Sequence, residues 1–202
     1  PERQLLAGRR AVAAGFEYSV YVMPGLGGRE LSRDHVAETA KLAQRRVEIS
    51  DGARRGIPPQ VTQINPTFVR FRTYCPIPGT EGWEALKNDD FEPLSESGHV
   101  QEMRDMIAAL GSECTSTVTT ADHIGNLVAF EESLPRNRGA ALARLDAYLD
   151  WPQHVRDRFA VGRRLGLVPG DPYQYRDSQE LALFHGAVEA KFGTIKTCWR
   201  HY

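Results

Sequence analysis

The sequence predicts an α/β fold: the later strands of a partial βα barrel over residues 1–150, followed by a helical extension over residues 151–202. Three segments rich in branched and aromatic residues alternate with helical segments, a pattern typical of parallel strands joined by crossover helices. Three strands cannot close a barrel, because a complete one has eight strands and needs roughly 200 residues or more. After residue 151 only helical segments are predicted.

The first strand is predicted at residues 17–23, between two helices. An amphipathic helical segment over 2–14 precedes it, and the glycine-rich turn 25–28 follows it. Ser32 is the expected N-cap of the helix that follows, which runs from 34 to about 47. This order is helix, strand, glycine turn, helix.

The second and third strands repeat this alternation. A loop at 50–59 leads to a strand at 67–74, which ends in the proline-rich segment 76–80. A helix at about 100–110 follows, and then a short threonine-rich strand at 115–119. The carboxyl ends of these strands are therefore expected to lie at one edge of the sheet.

The last part of the sequence predicts helices at 139–149, 152–164 and 178–191, with proline-containing turns between them. The last two form the predicted extension. The composition does not indicate whether this extension covers the barrel, extends its core or contacts a partner.

Composition excludes several classes of function. The 202 residues are 41% hydrophobic and hold 25 Lys and Arg against 26 Asp and Glu, for a net charge of -1. This balance gives no electrostatic reason to expect nucleic acid or an anionic membrane as a partner. The sequence has neither an apolar run of about 20 residues nor the layout of a secretory signal. We therefore expect a cytoplasmic protein.

The three cysteines, Cys75, Cys114 and Cys198, are an odd number and lie far apart in the sequence. They match neither a disulfide framework nor a clustered metal site, so we expect buried, ordinary thiols and no metal ligands. The chain starts at Pro1 rather than Met and enters directly on a helical segment. A fragment of a longer protein is the expectation, although a trimmed or processed protein would have the same start.

The glycine-rich turn is the first candidate site. Gly25, Gly27 and Gly28 lack side chains that would keep a ligand away, and their backbone N–H groups could meet ligand oxygens. A tight turn that needs positive φ angles would explain the same glycines equally well.

The second candidate is a pair of arginines. Arg70 and Arg72 alternate with Val69 and Phe71, so the two guanidinium groups are expected on one face of the strand. In a barrel they would point inward, into a polar cavity that holds carboxylates from the protein or a ligand. The alternative is an edge strand with solvated arginines.

The third candidate follows the third strand. Asp122, His123 and Asn126 group an acid, an imidazole and an amide, which could bind a polar substrate or move a proton. The alternative is a local helix cap with Asp122 as its N-cap. A Ser-His-Asp hydrolase is disfavoured because the sequence has no Gly-x-Ser-x-Gly elbow, and no GxxxxGK[ST] phosphate loop is present either.

Three segments resemble, in order, parts of the radical S-adenosylmethionine (radical SAM) superfamily. Residues 14–30, which contain VYVMPGLGG, resemble the fifth strand and its following loop. Residues 64–80, which contain INPTFVRFRT, are similar to the sixth strand and its exit loop. Residues 122–136, which contain DHIGN and SLPR, are similar to the segment after the core in one branch. The resemblance covers roughly residues 1–150.

The resemblance implies that S-adenosylmethionine is the cofactor and that part of its site lies in this chain. The residues implied to contact it are Met23, Gly25, Gly27, Gly28, Arg70 and Arg72. Asp122, His123 and Asn126 are the predicted substrate residues. In the family a CxxxCxxC loop binds a 4Fe-4S cluster that cleaves the cofactor reductively. No such spacing occurs here.

The missing cysteine motif and the missing earlier strands imply a chain that is inactive alone. Its partner would be the N-terminal half of the barrel, and the substrate, a small molecule or a peptide, is not identified. Two alternatives stay open. One is a stand-alone, non-catalytic α/β binding or interaction module, and the other is an unrelated barrel enzyme that binds phosphate with its glycine loop.

Overall fold

A computed structural model describes residues 2–44, 64–112 and 114–193. In chain order its helices and strands are α1 (Glu2–Ala13), β1 (Ser19–Val22), α2 (Ser32–Gln44), β2 (Phe68–Phe71), α3 (Glu81–Lys87), α4 (Glu96–Ala109), β3 (Thr117–Thr119), β4 (Glu131–Ser133), α5 (Arg138–Leu149), α6 (Gln153–Arg164) and α7 (Gln179–Phe192). A short 3₁₀ helix, Tyr173–Tyr175, lies between α6 and α7. The predicted loop at 50–59 and the predicted helix end near 47 lie outside the described residues.

Side-chain caps fix where two of the helices begin. α4 starts earlier than predicted, at Glu96, because the Ser95 hydroxyl accepts a hydrogen bond from the Gly98 backbone N–H (3.0 Å). α3 was not predicted from the sequence, and it begins in the same way. There the Thr80 hydroxyl accepts from the Trp83 N–H (3.3 Å). Such caps satisfy backbone donors that the first turn of a helix leaves unpaired.

The four strands form one open sheet in the order β1-β2-β3-β4. β1, β2 and β3 are parallel, and their register pairs Val20 with Val69 and Val69 with Val118. β4 is antiparallel to β3 and pairs Glu132 with Val118. The predicted α/β class is confirmed as a mixed α/β fold with an open sheet. β4 was missed because its three residues, Glu-Glu-Ser, have no apolar alternation.

The two faces of the sheet differ chemically. Val69, Phe71 and Val118 point to one face and are almost completely buried. They pack with apolar side chains of α4, namely Val100, Met103, Met106 and Ile107. Burying each such side chain stabilises the fold by about 1.5–3 kcal/mol. Because side chains alternate along a strand, Tyr21 and Arg70 point to the opposite face, where Tyr21 is 57% exposed.

The C-terminal helices share this core. Trp151 and Phe159 are buried in the same apolar cluster as the strand residues, and Phe159 packs edge-to-face against Tyr148 of α5. α7 adds Leu181 to the cluster. The predicted helices at 152–164 and 178–191 are therefore present, and both pack onto the sheet domain. None of the described helices is both long enough and apolar enough to cross a membrane.

Candidate functional site

Three loops meet at the carboxyl edge of the parallel strands. The Arg72 backbone N–H donates to Val22 O (2.8 Å), and the Tyr74 N–H donates to Pro24 O (2.8 Å). These bonds extend the β1-β2 pairing into the loops that follow the strands. The Thr73 N–H donates to the side-chain oxygen of Asn126 (3.1 Å), which joins the loop after β2 to the loop after β3. The predicted site residues of all three loops are thus brought to one edge.

The glycine loop is a tight turn packed against the protein. Gly25 has φ +90°, and a Cβ atom there would lie 2.5 Å from the His99 ring. Gly28 has φ +59°, and a Cβ atom there would lie 2.8 Å from Glu92 O. Both conformation and space therefore require glycine at these two positions, as the tight-turn alternative supposed.

The glycine loop also has an exposed side that a ligand could reach. Met23 is 41% exposed and Leu26 is 44% exposed. A Cβ atom at Gly27 would come within 3.1 Å of Leu31 Cβ, so this glycine also packs inside the turn. Contact between Met23 or the glycine backbone and a cofactor stays a prediction.

A buried carboxylate accepts hydrogen bonds from the glycine loop and from the start of α2. Glu102 of α4 is 2% exposed, and its side chain accepts hydrogen bonds from the Gly25 N–H (3.3 Å) and the Ser32 hydroxyl (2.9 Å). Its other oxygen lies 2.5 Å from His35 Nδ1. A buried charge needs such partners to offset the loss of hydration. Glu102 was not predicted as a functional residue, although an acid between Val100 and other core residues of α4 was a signal for it.

Arg70, Arg72 and Asp122 form one charged cluster on the exposed face of the sheet. Arg70 Nη1 lies 2.8 Å from Asp122 Oδ2, and Arg72 Nη2 lies 3.5 Å from the same oxygen. The Arg72 guanidinium also stacks over the Tyr21 ring at 4.9 Å, and that of Arg70 over the Phe68 ring at 4.8 Å. The arginines were expected to meet carboxylates from the protein or a ligand, and here the protein supplies one.

Asn126 is the most fully bonded of the predicted substrate residues. It is 1% exposed, and its amide nitrogen donates to Phe71 O (2.8 Å) and to Thr120 O (2.8 Å). Its oxygen accepts from the backbone N–H and the hydroxyl of Thr73 (3.1 and 2.9 Å). Asn126 thus clamps the ends of β2 and β3 together. Any part it takes in substrate binding would act through the shape of the loop.

His123 lies partly buried beside this clamp. Its carbonyl accepts the Asn126 N–H (3.0 Å), and its Nδ1 is buried with no hydrogen-bond partner among the described residues. Burial, followed by the positive charge of Arg72, lowers the pKa of His123 below its ordinary value. The imidazole is therefore neutral near neutral pH and could accept or donate one proton.

A separate cavity of about 450 Å³ lies beside β1. Apolar side chains of the core dominate its lining, and His35 and Glu38 of α2 add polar groups. Met23 borders it, but Arg70, Arg72 and Asp122 do not. The cavity and the charged cluster are thus different places.

The residues fit the two implied cofactors unequally. No group of three or more His, Cys, Asp or Glu side chains able to hold a metal ion occurs in residues 2–44, 64–112 and 114–193. Cys75 and Cys114 are free thiols, and only Cys114 is buried as expected, because Cys75 lies in the exposed loop after β2. These residues do not fit an iron–sulfur cluster, which needs several thiolates. S-adenosylmethionine fits better. The Arg72 guanidinium is 39% exposed and has a buried Nε with no hydrogen-bond partner among the described residues. It could bind the carboxylate of that cofactor.

Comparison with protein-family models, with curated proteins and with solved structures finds no significant match to this chain. The function must therefore be argued from the loops, the charged cluster and the resemblance of the three segments.

Proposed function

We propose that this chain is the later part of a radical SAM enzyme and that it supplies contacts to cofactor and substrate but not the cluster ligands. One observation carries the proposal. The three segments that resemble the family adjoin at one edge of the sheet, and Arg70, Arg72 and Asp122 cluster on its exposed face. Ligands of α/β folds bind at this edge of the strands.

The chain's own residues would bind and orient the cofactor and the substrate. Met23 and the backbone of the glycine loop would contact the cofactor, and the Arg72 guanidinium would bind its carboxylate. Asp122 would accept a hydrogen bond from a hydroxyl or ammonium group. His123, held neutral, would donate or accept one hydrogen bond with the substrate. When bound and reductively cleaved, S-adenosylmethionine supplies the radical that takes hydrogen from a substrate.

A second candidate is the stand-alone binding module. It is favoured by the pairing of Asp122 with both arginines inside this chain and by the core that joins the sheet to α6. Such a module would bind a carboxylate-bearing ligand with Arg72 and would need no metal. It differs from the first candidate in redox chemistry and not in the residues used.

Iron and sulfide analysis of the longest natural form of the protein, purified without oxygen, tests the proposal. We expect stoichiometric iron and sulfide, and 5′-deoxyadenosine formed from S-adenosylmethionine when a reductant is added. Arg72→Gln should weaken cofactor binding about tenfold or more, because a charge-assisted hydrogen bond is lost. Arg10→Gln, on the exposed side of α1, is the control and should bind as the natural protein does.

The two candidates give different results in this experiment. A longest natural form without iron and without 5′-deoxyadenosine contradicts the enzyme proposal. If that form still binds S-adenosylmethionine by calorimetry, and Arg72→Gln weakens the binding, the binding module is favoured instead. Absence of both activity and binding rules out the enzyme and any binding module whose ligand is S-adenosylmethionine.

A further inference from the structure

An ion pair links α6 of the C-terminal extension to the start of α4. Arg164 donates from Nε and Nη2 to the two oxygens of Glu96 at 2.9 and 2.6 Å, in the forked geometry that fits a carboxylate. The Glu96 side chain is 5% exposed and that of Arg164 is 21% exposed. The ion pair is therefore largely shielded from solvent, and its two hydrogen bonds fix the orientation of the Arg164 guanidinium.

The third guanidinium nitrogen of Arg164, Nη1, reaches the loop after β3. Arg164 Nη1 donates to Gly125 O (2.7 Å), and Arg163 Nε donates to Asn126 O (3.3 Å). Two successive arginines of α6 thus hold two successive carbonyls of this loop. A Cβ atom at Gly125 would lie 2.7 Å from the His123 ring, so the held carbonyl belongs to the residue packed against the imidazole.

The loop is therefore held from two sides. Its Asn126 side chain is tied to the ends of β2 and β3, and its carbonyls are tied to α6. Asp122 and His123, the predicted substrate residues, lie between Thr120, whose carbonyl Asn126 holds, and Gly125, whose carbonyl Arg164 holds. If either attachment were loosened, the two side chains could turn away from Arg72.

We propose that Arg164 is a positioning residue: locked by Glu96, it holds the Gly125 carbonyl and so fixes Asp122 and His123 at the mouth of the site. What the fixed side chains bind rests on the proposed function. The holding itself depends only on the contacts described above. Arg164 acts through the loop and is not a catalytic residue.

Three variants test this role in the full chain. Arg164→Lys keeps the positive charge but loses the paired hydrogen bonds to the two oxygens of Glu96. Glu96→Gln removes the negative charge that holds Arg164 in place. Glu96→Gln combined with Arg164→Gln removes both charges, so that neither is left unpaired. Arg158→Lys is the matched control, because Arg158 lies on the same helix and the hydrogen bonds to Glu96 and Gly125 come from Arg164. The first readout is hydrogen exchange of the Asn126 amide, which donates to His123 O.

We expect Asn126 amide exchange to rise about tenfold or more in all three variants and to stay unchanged in Arg158→Lys. Exchange of the Thr117 amide, which pairs with Thr67 O (2.9 Å) in the sheet, should stay unchanged throughout. The proposal is overturned if Asn126 exchange is unchanged in Arg164→Lys. Equal acceleration at Thr117 and Asn126 overturns it as well, because the pair would then stabilise only the whole fold.

A second readout separates position from charge. Burial, then the positive charge of Arg72 and to a smaller extent that of Arg164, lowers the pKa of His123. Arg164→Lys keeps the charge, so a rise of the His123 pKa by NMR in that variant reports only the loosening of the loop. The doubly substituted chain also loses the charge and should show a larger rise. Neither readout needs a ligand. If the longest natural form fails to bind S-adenosylmethionine, the proposed function fails while the exchange and titration results still decide the role of Arg164.

Discussion

Asn126→Asp is the substitution whose cost can be worked out most fully from the structure. The two side chains have the same shape, so the change replaces a donor with an oxygen and leaves packing intact. The asparagine nitrogen donates to Phe71 O and to Thr120 O, both at 2.8 Å and both buried. A protonated aspartic acid can donate to only one of these carbonyls, and an ionised one can donate to neither.

The expected cost depends on pH. With the acid protonated, one buried carbonyl loses its donor, which costs about 1–3 kcal/mol. Burial beside two carbonyl oxygens raises the pKa of the new carboxyl above the unfolded value of about 3.9. The two hydrogen-bond donors of Thr73 favour the charged carboxylate and limit the rise of its pKa. We therefore expect the pKa to rise by about 2, which corresponds to about 3 kcal/mol of lost stability. Near neutral pH the total is then about 4–6 kcal/mol.

The sign follows from proton binding. Because the folded variant holds its proton to a higher pH than the unfolded chain does, its stability is greatest below about pH 4. The deficit relative to the natural chain should grow as the pH rises, until the carboxyl also ionises in the folded protein at about pH 6. A loss of this size is a large part of a typical domain stability of about 5–15 kcal/mol.

Urea unfolding of both chains by far-UV circular dichroism, from acid to neutral pH, measures this difference. Asn88→Asp is the control, because Asn88 is exposed at the end of α3, where a new negative charge should cost no more than about 1 kcal/mol. A deficit for Asn126→Asp that does not change with pH would refute the raised pKa. A deficit below about 1 kcal/mol at all pH values would refute the clamp itself.

Three more predictions concern other parts of the fold. Gly25→Ala should lower the free energy of unfolding by about 2–4 kcal/mol in thermal unfolding, because φ is positive at Gly25 and the new Cβ would meet His99. Gly139→Ala, in open space on α5, is the control and should not lower it. Equal effects of the two substitutions would contradict this account. Phe159→Ala should cost about 3–5 kcal/mol and leave a single unfolding transition, whereas a separate transition for the C-terminal helices would contradict a shared core. Burial lowers the pKa of His99 in the folded protein, so the unfolded chain binds a proton first and the free energy of unfolding should fall as the pH drops below about 6.5. A pKa of His99 at or above about 6.5 by NMR would contradict this prediction.

The parallel part of the fold could be predicted because its signals are local. Strand segments with branched residues and helices with caps or glycine stops are properties of neighbouring residues, and β1, β2 and β3 fall within the predicted strands. β4 could not be found in this way, because Glu131–Ser133 is a strand only through its antiparallel pairing with β3. Its residues have no strand propensity that would signal it alone.

The placement of the candidate residues could be predicted in part, and their contacts less so. The alternation of Arg70 and Arg72 with apolar residues placed both on one face of the strand, which was expected to line an enclosed polar cavity; the structure has this face partly exposed, and there both arginines meet Asp122. Grouping Asn126 with Asp122 was reasonable because both follow β3, but position in sequence does not say which side chain turns inward. Asn126 turns inward because the carbonyls of Phe71 and Thr120 would otherwise lack donors.

The contacts that shape the loops come from α4, a helix for which the sequence predicted no part in the site. Glu96, His99 and Glu102 recur at every third position of α4, so they lie on one side of it, next to the apolar stripe. Glu102 holds the glycine loop, the His99 ring packs on Gly25, and Glu96 holds the loop after β3 through Arg164. Two loops that carry predicted site residues therefore depend on a single helix. Because α4 also fills the core, the shape of the site and the stability of the fold are set by the same element.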